Sequence, residues 1–197
     1  VLRISGLIAA ILLVILFAAL PNTSQERRSE VPRGDVDQTL VVELDVPEGF
    51  DRAALAEVVR EVDADPRGWS QIGIRVEVGE STTYRLGVAT AATMAASCAP
   101  WPTAGRFGCQ AGPVAMIYQP WWDEPPPWWE GSVDDYRRRA VNHEIGHMVG
   151  LRRHPPCPGP GGPLPVMALP PRDETQCEAQ SWPVQADLDA ASGLLDG

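Results

Sequence analysis

The chain holds only three histidines, and they fall within the twelve residues from His143 to His154. The first two frame His143-Glu-Ile-Gly-His147, an H-E-x-x-H pattern. On a helix, four residues at about 100° each bring both imidazoles to one face, a turn apart, within reach of one Zn²⁺ at about 2.0 to 2.1 Å. Glu144 then falls beside the ion rather than on it. There it is the general base for a water that the metal acidifies, while the metal polarises a scissile carbonyl. The chemistry expected is hydrolysis of a peptide bond, with His154 as a third ligand from the chain that follows.

This arrangement resembles the metzincin zinc peptidases, whose pattern is H-E-x-x-H-x-x-G-x-x-H followed by a Met-containing turn. Gly150, three residues after His147, can adopt a left-handed conformation and turn the chain back under the metal. The third His of the pattern would fall at 153, which is Arg153, and His154 comes one residue late. One extra residue between Gly150 and His154 is the preferred reading, and a centre with two protein imidazoles is the alternative. Met167, in Pro165-Val166-Met167, is the candidate Met-turn, against ordinary loop packing. Leu169 stands where some metzincins carry a Tyr, which leaves the oxyanion stabiliser unassigned. Arg152 or Arg153 could approach the developing charge, although solvent exposure is the expected fate of both.

A closer resemblance spans roughly residues 39 to 185. It is carried by Asp65-Pro-Arg-Gly-Trp69, Thr103-Ala-Gly-Arg-Phe-Gly-Cys109, Tyr136 to His147, Cys157-Pro-Gly-Pro-Gly, Pro165-Val-Met167, Cys177 and Trp182-Pro183. In order and type these look like the actinobacterial secreted or membrane-anchored metzincin-like domain of unknown function. The resemblance implies a zinc-peptidase fold and a third His three residues before the Cys of the Cys-Pro-Gly-Pro segment, where His154 stands.

The elements that must position these groups are legible as periodicity. Thr39 to Val46 is β-rich and partly alternating. Asp51 caps a helix in which Leu55, Val58, Val59 and Val62 recur at helical spacing, ending before Pro66 and Gly68. Ile72 to Val78, Thr83 to Thr90 and Pro113 to Tyr118 read as further strands. Ser132 to Gly150 is the metal-binding helix: Ser132 with Asp135 forms a capping-box-like start, and Asp134 and Asp135 complement the helix dipole. A short helix closes the chain after Trp182. The fold expected is α+β, a metzincin-like zincin domain with a mixed twisted sheet, an active-site helix and a short C-terminal helix.

Other residues near the motif have quieter readings. The stretch Trp121 to Trp129 holds four of the seven Trp, and packing of a Pro-stiffened loop is favoured over lining of a substrate cleft. Asn142 is either a support for His143 or polar surface. Asp187 and Asp189 are potential acceptors for an outer imidazole nitrogen, with helix capping preferred. The run Arg137 to Arg139 reads as a solvated helix face.

The chain of 197 residues suits one core plus a leader. Ile4 to Leu20 is a run of 17 uncharged, mostly apolar positions, read as a transmembrane anchor or signal segment over residues 1 to 20. Residues 21 to 38 read as a flexible linker, and 39 to 197 as the zinc-binding domain. Net charge is −10, and every basic residue is Arg, which argues against nucleic acid as a partner. The four cysteines, Cys98, Cys109, Cys157 and Cys177, include no C-x-x-C pair and fit two disulfides in an oxidising compartment. Of three connectivities the local one, Cys98 with Cys109 and Cys157 with Cys177, is preferred, because each pair brackets a Gly/Pro-rich loop.

The function expected is that of a monomeric zinc peptidase of the cell envelope, held by its N-terminal segment with the domain outside, and acting on proteins or peptides. The alternative is a zinc-containing binding or scaffolding module without catalysis. Glu144 favours the first, because structural zinc has no use for a carboxylate there, while the displaced His154 and Leu169 favour the second.

Overall fold

A computed structural model describes residues 38–81, 83–98, 108–169 and 177–195. The expected anchor and nearly all of the expected linker lie outside the described residues. Among the described residues no helix is long and apolar enough to cross a membrane.

The first strand, β1 (Gln38–Asp45), alternates as its sequence demands: Leu40, Val42 and Leu44 are buried while Val41 and Glu43 point away from the main core. Helix α1 (Arg52–Ala64) follows, capped by the Asp51 carboxylate on the amides of Ala53 and Ala54. Its buried stripe is Leu55, Val58, Val59 and Val62. Burying each of these stabilises the fold by up to about 1.5 to 3 kcal/mol.

Ile72 and Gly73 depart from the expected strand. They close a 3-10 turn over Trp69–Ile72, ended by Gly73 in the left-handed region at φ 78°, so β2 runs only over Ile74–Val78. Strand β3 (Tyr84–Ala89) leads into a short helix, α2 (Ala91–Ser97), capped by Thr90. The edge strand β4 (Cys109–Ala111) turns into β5 (Val114–Tyr118), which continues as α3 (Gln119–Asp123). Helices α4 (Val133–Val149) and α5 (Gln185–Leu195) complete the order.

The sheet order is β2-β1-β3-β5-β4. Four strands are parallel, and β4 runs antiparallel to β5 with Cys109 opposite Met116. The sheet is therefore mixed, as expected, and the domain is α/β in composition. Helices α1 and α4 pack on one face, where Val42, Leu86, Ala115 and Ile117 meet Val59, Val141 and Ile145. On the other face Ala89 and Met116 meet Met94 and Cys98 in a smaller core.

Both disulfides form in the local pairing, Cys98 with Cys109 and Cys157 with Cys177. The first ties α2 to the edge strand. The second fastens the loop that follows α4. Together they mark an oxidising or extracellular setting.

Candidate metal centre

Helix α4 carries the first two histidines, and its ends are strongly specified. Ser132 Oγ accepts the Asp135 amide at 3.1 Å. At the other end Gly150 takes φ 112°, the Gly150 amide bonds the His147 carbonyl at 3.0 Å and the Leu151 amide bonds the Gly146 carbonyl at 3.0 Å. That pair of bonds is a Schellman reversal, and glycine supplies the left-handed residue it requires. The reversal aims the chain back, and the Leu151 carbonyl returns to His147 Nδ1 at 2.7 Å.

His143 is held in the same manner from another direction, its Nδ1 lying 2.8 Å from the Val166 carbonyl. A carbonyl only accepts, so each Nδ1 carries the proton and each Nε2 presents its lone pair outward. Burial holds both imidazoles below their ordinary pKa, which keeps them neutral and able to ligate. His154 reaches the same point from the loop: its Nε2 is 3.2 Å from His147 Nε2. Two nitrogens sharing one tetrahedral ion stand about 3.3 Å apart. One ligand atom from each of the three histidines lies within 4.8 Å of the others, so the group could bind a metal ion. The loop reaches this position with one residue more than the metzincin spacing has, and Arg152 and Arg153 point into solvent.

Glu144 sits at the inner side of this centre, 2 % exposed, with one carboxylate oxygen lacking any partner among the described residues. Burial raises its pKa to about 8. Gly108 lies so near that a Cβ there would overlap Glu144 Oε1 and stand 2.8 Å from the Met116 carbonyl. The bare backbone at 108 thus leaves room for the carboxylate.

Beneath the histidines, Pro165 to Ala168 form a turn closed by an Ala168 amide to Pro165 carbonyl bond of 3.0 Å. Met167 is 1 % exposed and packs against Gly146, where a Cβ would overlap its sulfur and crowd the Trp69 ring. Gly146, an unspecified position of the H-E-x-x-H pattern, is therefore required by what lies under the helix.

The supporting residues take these places, Asp187 in the preferred capping reading and Asn142 in the buried one. Asp187 is a helix cap, on the Val184 amide at 3.0 Å, and it also accepts the amides of Val166 at 2.8 Å and Met167 at 3.3 Å. It reaches no imidazole, because backbone carbonyls already occupy the outer nitrogens, and Asp189 pairs with Gln185 at the surface. Asn142 is wholly buried rather than surface, its side-chain amide donating to the Ser181 carbonyl at 2.8 Å, while its backbone carbonyl accepts Trp69 Nε1 at 3.2 Å.

The arginine run is not a solvated face throughout. Arg137 lies over Trp122 at 5.1 Å and Arg138 pairs with Glu61, but Arg139 is 4 % exposed. Its signal in the sequence is its place one turn before His143, on the histidine face of α4. The Trp stretch divides likewise. Trp122 and Trp129 pack inward, whereas Trp121 and Trp128 line a cleft beside His143 and Glu144.

Fold and site together define a mixed α/β domain with a three-histidine centre on its longest described helix. Residues 17–176 match the model of a family described as "Protein of unknown function (DUF3152)", and the chain belongs to that family. No curated protein and no solved structure matches the chain.

Proposed function

We propose that the chain is a zinc-dependent peptidase of metzincin-like kind, working outside the cytoplasm and held at the envelope by its N-terminal apolar segment. The observation that carries this reading is a buried carboxylate beside a three-imidazole group, with one Glu144 oxygen unpartnered. A site that only held a structural metal would have no reason to keep an unmet carboxylate in its wall. Three neutral nitrogen donors suit Zn²⁺, and three protein ligands are the count that leaves a coordination position open.

When bound, zinc lowers the pKa of a water and polarises a carbonyl. The chain's residues do the rest. His143, His147 and His154 hold the ion, the first two fixed by the Val166 and Leu151 carbonyls. Glu144 takes the proton of the attacking water and delivers it to the departing amine. Gly146 and Met167 set the level of the helix over the turn below.

The test is metal analysis of the purified full chain together with hydrolysis of a peptide library by the wild type and Glu144→Gln. One zinc per chain, turnover by wild type and its loss in Glu144→Gln is the expected result. One zinc with no turnover by either protein would instead leave the binding module, which the solvent-facing Leu169 and the displaced His154 favour.

A further inference from the structure

Beside Glu144, a cleft opens between β5, α3 and the N-terminal half of α4. Its walls include Tyr118, Trp121, Trp128 and Tyr136. These rings meet edge to face: Tyr118 and Trp121 at 5.7 Å, Trp121 and Tyr136 at 6.5 Å, Trp128 and Tyr136 at 6.2 Å. Such a set lines the cleft with flat apolar surface.

Arg139 breaks that character. Its guanidinium lines the same cleft and donates to the carbonyls of Gln180 at 2.9 Å, Pro165 at 3.0 Å and Ala168 at 3.2 Å. These bonds use three of its five N–H groups. Among the described residues no carboxylate pairs with it. Asp187 is close enough to act on its charge, but that carboxylate is committed to three backbone amides. The Trp128 ring, 6.0 Å from the guanidinium, has its Nε1–H buried with no acceptor among the described residues.

Carbonyl dipoles orient a buried cation without neutralising it, and an unmet buried donor is costly. An apolar side chain entering the cleft would satisfy its walls but leave the Trp128 donor unmet and the Arg139 charge without a carboxylate. A carboxylate would satisfy the walls with its methylenes and the donors with its oxygens, and planar recognition of a carboxylate is what a guanidinium does best.

We propose that this cleft is a specificity pocket for a carboxylate-bearing substrate group next to the scissile bond, read by Arg139 and Trp128. The location of that bond rests on the peptidase reading above. The carboxylate has two sources, an acidic side chain following the cut or the free C-terminus of a short product, and the chemistry of recognition is the same for both.

The probes are three matched hydroxamates, which grip zinc whether or not the protein turns peptides over. They carry a carboxyethyl, a carbamoylethyl or an isobutyl side chain next to the hydroxamate. Calorimetry with the zinc-loaded full chain should show the carboxyethyl compound binding about tenfold tighter than the isobutyl one. Trp128→Phe, which keeps an aromatic ring but loses the indole N–H, and Arg139→Lys should each narrow that ratio. Trp128→Phe remains informative if Arg139→Lys fails to fold. Isobutyl binding equal to or tighter than carboxyethyl binding overturns the proposal, as does a ratio that neither variant changes.

Hydrolysis separates this failure from that of the peptidase reading. A carboxyethyl preference with no peptide cleaved supports the pocket and sinks the peptidase, while cleavage ahead of apolar residues keeps the peptidase and sinks the pocket. Cleavage ahead of Glu in peptides with an amidated end assigns the side chain as source, and cleavage only one residue from a free end assigns the terminus.

Discussion

The Asp187 carboxylate accepts the Val166 amide at 2.8 Å, and the carbonyl of that same Val166 receives His143 Nδ1 at 2.8 Å. One peptide segment thus connects the C-terminal helix to a histidine of the candidate centre. Asp187 itself is 1 % exposed and touches no imidazole.

Asp187→Asn should therefore act on metal affinity as well as on stability. An amide cannot accept all three backbone N–H groups, so the turn loses hydrogen bonds to a charged acceptor, each worth about 1.5 to 3 kcal/mol. We expect a lowered urea midpoint and zinc affinity reduced about tenfold, as found for residues that orient a ligand. Unchanged affinity in a competition titration with a chelating dye would detach Asp187 from the centre.

Gly146→Ala should destabilise by about 1 to 3 kcal/mol through overpacking of Met167 and the Trp69 ring. The diagnostic is coupling: Met167→Ala opens the space that the new methyl occupies, so the double variant should lose less than the two singles together. Strict additivity in denaturant unfolding would mean that the helix relaxes away from the turn instead.

Reduction of the loop disulfide is expected to reach the centre through His154. Replacing Cys157 and Cys177 by Ser releases a closure of 20 residues, worth roughly 3 kcal/mol in the chain-entropy model. Zinc affinity should fall in that variant towards the value for His154→Ala. Replacing Cys98 and Cys109 should lower stability while leaving His154 ligation intact, so the two variants separate in the metal titration.

Acid stability has a local contributor at the C-terminal end of α1. Arg67 bonds Asp65 at 2.8 and 2.9 Å while lying over Trp182 at 4.5 Å, and these bonds hold the Asp65 carboxyl below its ordinary value of 3.8. A depressed folded pKa means stability that is present above the unfolded pKa and is lost as pH falls through the lower folded one. Asp65→Asn should therefore weaken the fold at neutral pH and flatten the decline below roughly pH 4. Parallel pH profiles for the two proteins in thermal unfolding would refute this.

Much of this was readable from residue types because the signals were local. The Leu55 to Val62 stripe, the Ser132 cap and the Gly150 stop are periodicity and end chemistry, and they place α1 and α4 to within a residue or two. Gly73, by contrast, ends a turn that apolar alternation alone cannot distinguish from the start of a strand. The short α2 and α3 carry no helical stripe long enough to register. The places of Arg139, Asn142 and Gly146 are not legible locally, because their roles depend on partners 21 or more residues away, as Gly146 does on Met167 and Arg139 on Pro165 and Gln180. Within the Arg137 to Arg139 run only the position of Arg139, one turn before His143, sets the buried guanidinium apart from its half-buried neighbours.

The loop bearing His154 is pinned at both ends, by the Leu151 carbonyl on His147 and by the Cys157 disulfide, with two exposed arginines between the first pin and the histidine. Where the ends are fixed in space, the number of residues between them can vary without moving the ligand. A pattern that requires the third histidine at 153 excludes this chain, whereas the two anchor points leave room for His154.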